Sequence, residues 1–208
     1  MRVAVVVFEG FDELDAIGPL EVLRNAATMG DVDLQVDLVA LDGAAEVTGS
    51  HGLRVRTDGP LDPDGADVVV VPGGGWNDRA PRGARAEAER GDLPAALAAA
   101  HRSGAVVATV CTGAMLATAA GLTRGRPAVT HHGAIEELRA AGARVVEARV
   151  VDDGDLVTAG GVTSGIDMAL WLVERHFGAE LADAVAAEIE HPRHGEVWRA
   201  RPGPPPAG

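Results

Sequence analysis

The chain holds one cysteine, Cys111, and its sequence setting proposes a reactive site. The apolar run Ala105-Val106-Val107-Ala108-Thr109-Val110 precedes it, and Thr112-Gly113-Ala114-Met115-Leu116-Ala117 follows. The first stretch reads as a buried strand and the second as the opening of a helix, so the thiol falls on a tight strand-to-helix turn. Free backbone N–H groups and the positive end of the helix dipole would there favour the thiolate, the nucleophilic form. The same residue equally fits a small buried hydrophobe. Asp15 is the second candidate. Its neighbours Leu14, Ala16 and Ile17 imply partial burial, whereas Glu9, Asp12 and Glu13 read as solvated. A buried carboxyl near a thiolate keeps its proton to higher pH, through desolvation and like charge, and can deliver it as a general acid. The competing role for Asp15 is a cap on the helix that follows.

The elements that would position these groups alternate between strand and helix. Strands are expected at 3–8, 34–41, 67–71, 105–110, 144–150 and 155–159, and several are near-continuous β-branched runs of the kind buried on both faces of a parallel sheet. Helices are expected from Gly18-Pro19, with a stripe of Leu20, Leu23 and Ala27, and at 93–102, 112–120, 132–141, 164–177 and 179–190. Thr163 or Ser164 would cap the 164–177 helix and Gly178 would end it. Residues 43–57 read as a hairpin, and 76–92 as a loop with a frayed helix. The pattern implies one α/β domain over 1–200, a three-layer sandwich around a mostly parallel, flavodoxin-like sheet, with a Pro/Gly-rich disordered tail at 201–208.

Ligands in such a sheet bind outside the carboxyl ends of the strands. Five turns should open on that rim: the loop with Asp15, Pro72-Gly73-Gly74-Gly75, Cys111-Thr112-Gly113, Thr130-His131-His132-Gly133, and Ala159-Gly160-Gly161-Val162-Thr163. Amides of Gly73 to Gly75 would form an anion-binding concavity facing the sulfur, or only a tight turn. His131 and His132 fit a site or a surface role. Glu188, Glu190, His191 and His194 have no zinc-type spacing, so no metal is expected.

Composition narrows the class. All 18 basic side chains are arginine, which removes a Walker A lysine, a lysine Schiff base and a pyridoxal phosphate anchor. Gly73-Gly74-Gly75 does not match the dinucleotide fingerprint and no G-x-S-x-G is present, so no cofactor and no serine hydrolase are expected. A net charge of −13 argues against nucleic acid and anionic membranes as partners. A single cysteine, with no signal-type start and no long apolar run, points to the cytoplasm.

Taken in order, Asp15 with Gly18-Pro19-Leu20-Glu21-Val22, Val71-Pro72-Gly73-Gly74, Val110-Cys111-Thr112-Gly113, Thr130-His131, and Ala159-Gly160-Gly161-Val162-Thr163-Ser164-Gly165-Ile166-Asp167 resemble the ThiJ/PfpI superfamily, of class I glutamine amidotransferase-like fold. Many members carry Glu where this chain has Asp15. Asp15 together with Cys111-Thr112 resembles the isonitrile hydratase branch. It also resembles the corresponding domain of AraC-type regulators, whose C-terminal helix-turn-helix has no counterpart after the last expected helix here. The resemblance implies Cys111 as nucleophile, Asp15 as proton donor and acceptor, and Thr112 beside them. It implies Gly73, Gly74, His131, Gly161 and Val162 around a small-molecule substrate, and a homodimer. The alternatives are an enzyme of glyoxalase or deglycase type, and a non-catalytic redox-sensing domain. His132-Gly133 and the Glu190-His191-Pro192-Arg193 stretch depart from the branch pattern.

Overall fold

The computed structural model describes residues 1–200, and the expected tail at 201–208 lies outside the described residues. The strands, in chain order, are β1 (Arg2–Val7), β2 (Gln35–Ala40), β3 (Glu46–Thr48), β4 (Arg54–Arg56), β5 (Gly59–Pro60), β6 (Val68–Val71), β7 (Val106–Val110), β8 (Pro127–Ala128), β9 (Arg144–Val145), β10 (Val150–Asp152), β11 (Leu156–Ala159) and β12 (Trp198–Arg199). The helices are α1 (Glu13–Met29), α2 (Ala84–Arg90), α3 (Asp92–Arg102), α4 (Gly113–Ala119), α5 (Ile135–Ala140), α6 (Ser164–Phe177) and α7 (Ala179–Glu188).

Valine-rich strands that cannot expose either face build the centre. β6 and the body of β1 are buried along their length. The main sheet has the order β12-β10-β11-β7-β6-β1-β2-β5. All of it runs parallel except β10 and β12, which run against the rest. Helices α1, α6 and α7 pack together on one face and α2, α3 and α4 on the other. Taken alone, β2-β1-β6-β7-β11 is the flavodoxin-like order, in which the chain reverses its direction of travel between β1 and β6. A crevice belongs there, at the carboxyl ends of those strands.

Several expectations are corrected. The first helix opens at Glu13, not at Gly18-Pro19, so Pro19 lies inside α1 and Asp15 in its first turn. Pro19 removes only the N–H that would reach the Asp15 carbonyl, and Gly18 before it has no Cβ to clash with the proline ring. The 144–150 strand is divided. β9 pairs with β8 in a separate small sheet, while β10 turns back antiparallel on β11. The 76–92 segment contains a formed helix, α2, with Gly91 left-handed at its end. Thr163 precedes α6 without a side-chain cap; its hydroxyl instead accepts from Arg149 Nη2 at 2.9 Å. β3 and β4 form the expected hairpin.

Candidate active site

β7 ends at Val110 and α4 begins three residues later at Gly113, so the chain must reverse within two residues and one of them takes the unusual backbone conformation. That residue is Cys111, with φ of 56°. A left-handed conformation without glycine costs about 1–2 kcal/mol and persists only where its surroundings enforce it. Here the Cys111 N–H is shared between the carbonyls of Ala159 (3.1 Å) and Gly160 (2.8 Å). The Cys111 carbonyl accepts from the Thr130 hydroxyl at 2.8 Å. The next turn of chain is pressed against β6. A Cβ on Gly113 would meet the Val71 carbonyl and lie 2.8 Å from that of Pro72. The elbow is therefore held from three sides.

Asp15 reaches the elbow from α1. It is fully buried, and its Oδ2 accepts from the Gly73 N–H at 2.9 Å. Oδ1 is buried with no hydrogen-bond partner. The Cys111 thiol is close enough to interact with the carboxyl, but it does not satisfy Oδ1 by hydrogen-bond geometry. Burial, reinforced by the charge of Asp12, pushes the Asp15 pKa up to about 7. The competing reading of Asp15 as a helix cap is corrected, because its carboxyl serves Gly73 and not a first-turn amide.

The expected thiolate is also corrected. Burial first, and the adjacent Asp15 second, push Cys111 up to about 12, while the Val162 and Thr112 N–H groups pull the other way. Two amides and the dipole of a seven-residue helix do not outweigh desolvation. The free protein thus holds a thiol beside a carboxyl that titrates near neutrality.

Cys111 is only 6% exposed, yet it lines a cavity of about 340 Å³ at the rim of the sheet. Asp12, Thr112, Val162 and His131 join it there, together with Gly74 and Gly75. Two of the three glycine amides are already engaged within the protein. Gly73 N–H is taken by Asp15, and Gly74 N–H donates to Thr112 Oγ1 at 3.0 Å. Gly73 cannot carry a side chain, because a Cβ would lie 2.6 Å from Thr112 N. The amides beside the sulfur are those of Thr112 and Val162. His131 lines the cavity and His132 is exposed. Gly133 N–H donates to His131 Nδ1 at 3.1 Å, which places any ring proton of neutral His131 on Nε2. Burial and neighbouring His132 hold His131 below its usual pKa. Gly161 lies against that ring, where a Cβ would sit 3.2 Å from His131 Cδ2.

Other lining residues escaped the sequence reading. Trp76, Asn77 and Asp78 follow the triple glycine, and Ser50 and His51 come from the β3–β4 hairpin turn. A tryptophan directly after Gly73-Gly74-Gly75 was a usable signal; a hairpin folding over the site was not. Glu13, expected to be solvated, grips that hairpin instead. Its carboxylate accepts from His51 N (2.6 Å) and Ser50 Oγ (3.2 Å) and pairs with His51 Nδ1 at 2.6 Å. Burial opposes ionisation of Glu13, but these bonds hold its pKa below the usual range, and Glu13 in turn raises that of His51.

The C-terminal histidines serve packing. Asp167, buried in α6, accepts from Arg149 Nε (2.5 Å), pairs with His191 Nε2 (3.0 Å) and accepts from His194 N (3.0 Å). No group of His, Cys, Asp or Glu among the described residues is arranged to hold a metal ion. No helix among them is long and apolar enough to cross a membrane.

Comparison with known proteins places the chain among others of this fold. The model of the DJ-1/PfpI family matches residues 1–175. The chain is 36% identical over 197 residues to an isonitrile hydratase of Pseudomonas putida, covering 92% of this chain and 78% of that one. It is 29% identical over 162 residues to a deglycase of Thermococcus kodakarensis, covering 76% and 89%. A ThiJ/PfpI family protein from Pseudomonas syringae superposes with a TM-score of 0.78 at 26% identity, covering 98% of this chain and 76% of that one. With a family model spanning most of its length and a relative of this similarity, the chain belongs to the DJ-1/PfpI family.

Proposed function

We propose that the protein is a cysteine-dependent hydratase that converts isonitriles, R–N≡C, into N-substituted formamides. The observation that carries this reading is the buried Asp15 carboxyl, titrating near 7 with an unpartnered oxygen beside the Cys111 thiol. An isonitrile carbon must gain a nucleophile and a proton on the same atom, and this pair holds both. Similarity to an isonitrile hydratase over most of the chain supports the same reading.

The ionised Asp15 takes the thiol proton as the sulfur pair forms the S–C bond to the terminal carbon. The carbon's own electron pair then takes that proton from Asp15. The result is a thioimidate, R–N=CH–S–Cys111, and the carboxylate is free again. The Thr112 and Val162 N–H groups stabilise charge on the sulfur while this happens. Water then adds across C=N, its oxygen to carbon and a proton to nitrogen, with Asp15 as the base. Collapse of the tetrahedral carbon breaks the C–S bond, releases R–NH–CHO and returns the proton to the thiol. No cofactor enters any step.

The test is formamide production from an aliphatic and an aromatic isonitrile by wild type, Cys111→Ser and Asp15→Asn. Wild type should turn both over, Cys111→Ser neither, and Asp15→Asn should be slower by about 10²–10⁴-fold. Equal rates for wild type and Cys111→Ser would remove the proposal. A second reading, an enzyme acting on α-oxoaldehydes, draws support from the deglycase relatives. Lactate from methylglyoxal, without formamide from either isonitrile, would move the assignment there.

A further inference from the structure

We infer that a second cavity, at the carboxyl ends of β1 and β2, binds a small aliphatic ammonium ion, with the charged head on the Glu87 carboxylate and the hydrocarbon tail against the ends of the two strands. This site is apart from the cysteine, and its occupancy does not depend on the hydratase reading.

The cavity holds about 230 Å³ and shares no lining residue with the one that contains Cys111. It lies on the rim where sheets of this kind take ligands. Val7 and Phe8 at the end of β1, Ala40 and Leu41 at the end of β2, and Val47 of β3 give it an apolar wall. α2 contributes Glu87 and Arg90. The Glu87 side chain is only 7% exposed. Its Oε1 accepts from Arg90 Nη2 at 2.8 Å, and no donor among the described residues reaches Oε2. That oxygen is not sealed in the interior; it opens on the cavity that Glu87 lines.

A carboxylate in such a place is costly unless its open oxygen finds a donor. The surroundings deepen the shortage. Asp42 and Asp92 line the same cavity, and among the described residues Arg90, itself 59% exposed, is the one cationic side chain that lines it. Burial, reinforced by the charges of Asp92 and Asp42, holds the Glu87 pKa above the usual range against the pull of Arg90. Glu9 is already engaged, by Arg82 Nη1 at 3.1 Å and Thr48 N at 3.1 Å. The missing component is a cation. A metal ion does not fit, because no group of acids among the described residues is arranged to hold one and the apolar wall offers it no oxygen. An ammonium on a short alkyl chain fits both halves of the cavity. Its head brings three donors to Glu87 and the neighbouring acids, and its tail is buried against Phe8 and Leu41.

The experiment is isothermal titration calorimetry with methyl-, ethyl-, propyl- and n-butylammonium chloride on wild type, Glu87→Gln and Ala44→Leu, with n-pentanol and magnesium chloride as controls. Ionic strength is held constant, because a chain of charge −13 draws any cation. Ala44 lines the cavity, so leucine there takes up the space and leaves every carboxylate in place. Circular dichroism verifies the fold of both variants. Wild type should bind n-butylammonium saturably, with affinity rising about two- to fourfold per methylene along the series. Binding should be at least about tenfold weaker in each variant, through loss of the charge in one and of the space in the other. No saturable binding to wild type overturns the site. Equal binding by either variant also overturns it and places the ammonium elsewhere on the acidic surface. Binding of n-pentanol as tight as that of n-butylammonium would make the cavity an apolar hole without preference for charge. Glu87-dependent binding of magnesium without binding of n-butylammonium would make it a metal site, and either result sinks the ammonium assignment.

Discussion

Asp15 is pushed up to about 7 by burial with a single hydrogen bond, from Gly73, and it shares its surroundings with a thiol pushed up to about 12. The reactive form of such a pair has lost one proton of two, so that the carboxylate can accept the thiol proton as the sulfur attacks. Formamide production should therefore rise with pH around a midpoint near 7 and reach a plateau at mildly alkaline pH. A rate-against-pH profile checks this, and a midpoint near 4 would show that Asp15 is an ordinary carboxylate. The same burial has a cost in stability. The folded protein holds the Asp15 proton more tightly than the unfolded chain, so between about pH 4 and 7 the unfolded state gives up its proton first. Stability contributed by this residue falls as pH rises through that window and stays low above it. Asp15→Asn removes the burden, since an amide can still accept from Gly73 and has N–H groups to offer the sulfur. The variant should be more stable than wild type by roughly 2–4 kcal/mol at pH 8 and nearly equal to it at pH 4, read by urea unfolding.

At the scale of the elements, the site depends on turns that brace one another. Thr112 Oγ1 accepts the Gly74 N–H, joining the turn after β6 to the turn after β7. Thr112→Val keeps the shape and removes the acceptor, leaving a part-buried amide unpaired. It should cost about 1–3 kcal/mol and lower formamide output, while Thr112→Ser should restore both. On the other side, Arg149 ties the 160–163 turn to α6 through Thr163 and Asp167. Burial would raise the Asp167 pKa, but bonds from Arg149, the His194 amide and His191 hold it below the usual range. Arg149→Met should cost about 2–4 kcal/mol at pH 7 by taking the charged partner from that carboxylate, and less in acid, where a carboxyl no longer held down by Arg149 can take up a proton. The strand–Cys–helix turn was legible because a β-branched run breaks at Cys111 into a helical stripe, which is a local signal. That Asp15 stands in a helix and not in the loop before it was not. Gly18-Pro19 is a strong helix-start signal, and only packing of α1 against α6 shows that the helix runs through it. The free-thiolate expectation failed for a similar reason, since helix dipoles can be read from order along the chain and desolvation cannot.

For the whole molecule, the parallel sheet followed from near-continuous apolar strands alternating with helices, and the rim that gathers the site followed from the sheet. The edges were beyond reading. β5 and β12 are two-residue strands, too short to leave a period, and their pairing is decided entirely by the neighbouring strand. Charge was legible from composition, and its consequence can be measured. The chain carries −13, and its most exposed ion pairs, such as Arg24–Asp58 and Arg82–Glu9, have both partners about half exposed. Pairs of that kind contribute about 0–1 kcal/mol each and are local, whereas the excess negative charge repels itself across the whole surface. Raising ionic strength shortens the Debye length from about 30 Å at 0.01 M to about 8 Å at 0.15 M, which screens the long-range repulsion more than contacts near 3 Å. The melting temperature should therefore climb by a few degrees between low and physiological salt at pH 8. At pH 5, closer to the range in which carboxylates and imidazoles generally take up protons, the net negative charge is smaller and the same change of salt should move it much less. Calorimetry at the two pH values checks the pair of slopes, and a fall in Tm with salt at pH 8 would show that the surface ion pairs outweigh the net charge.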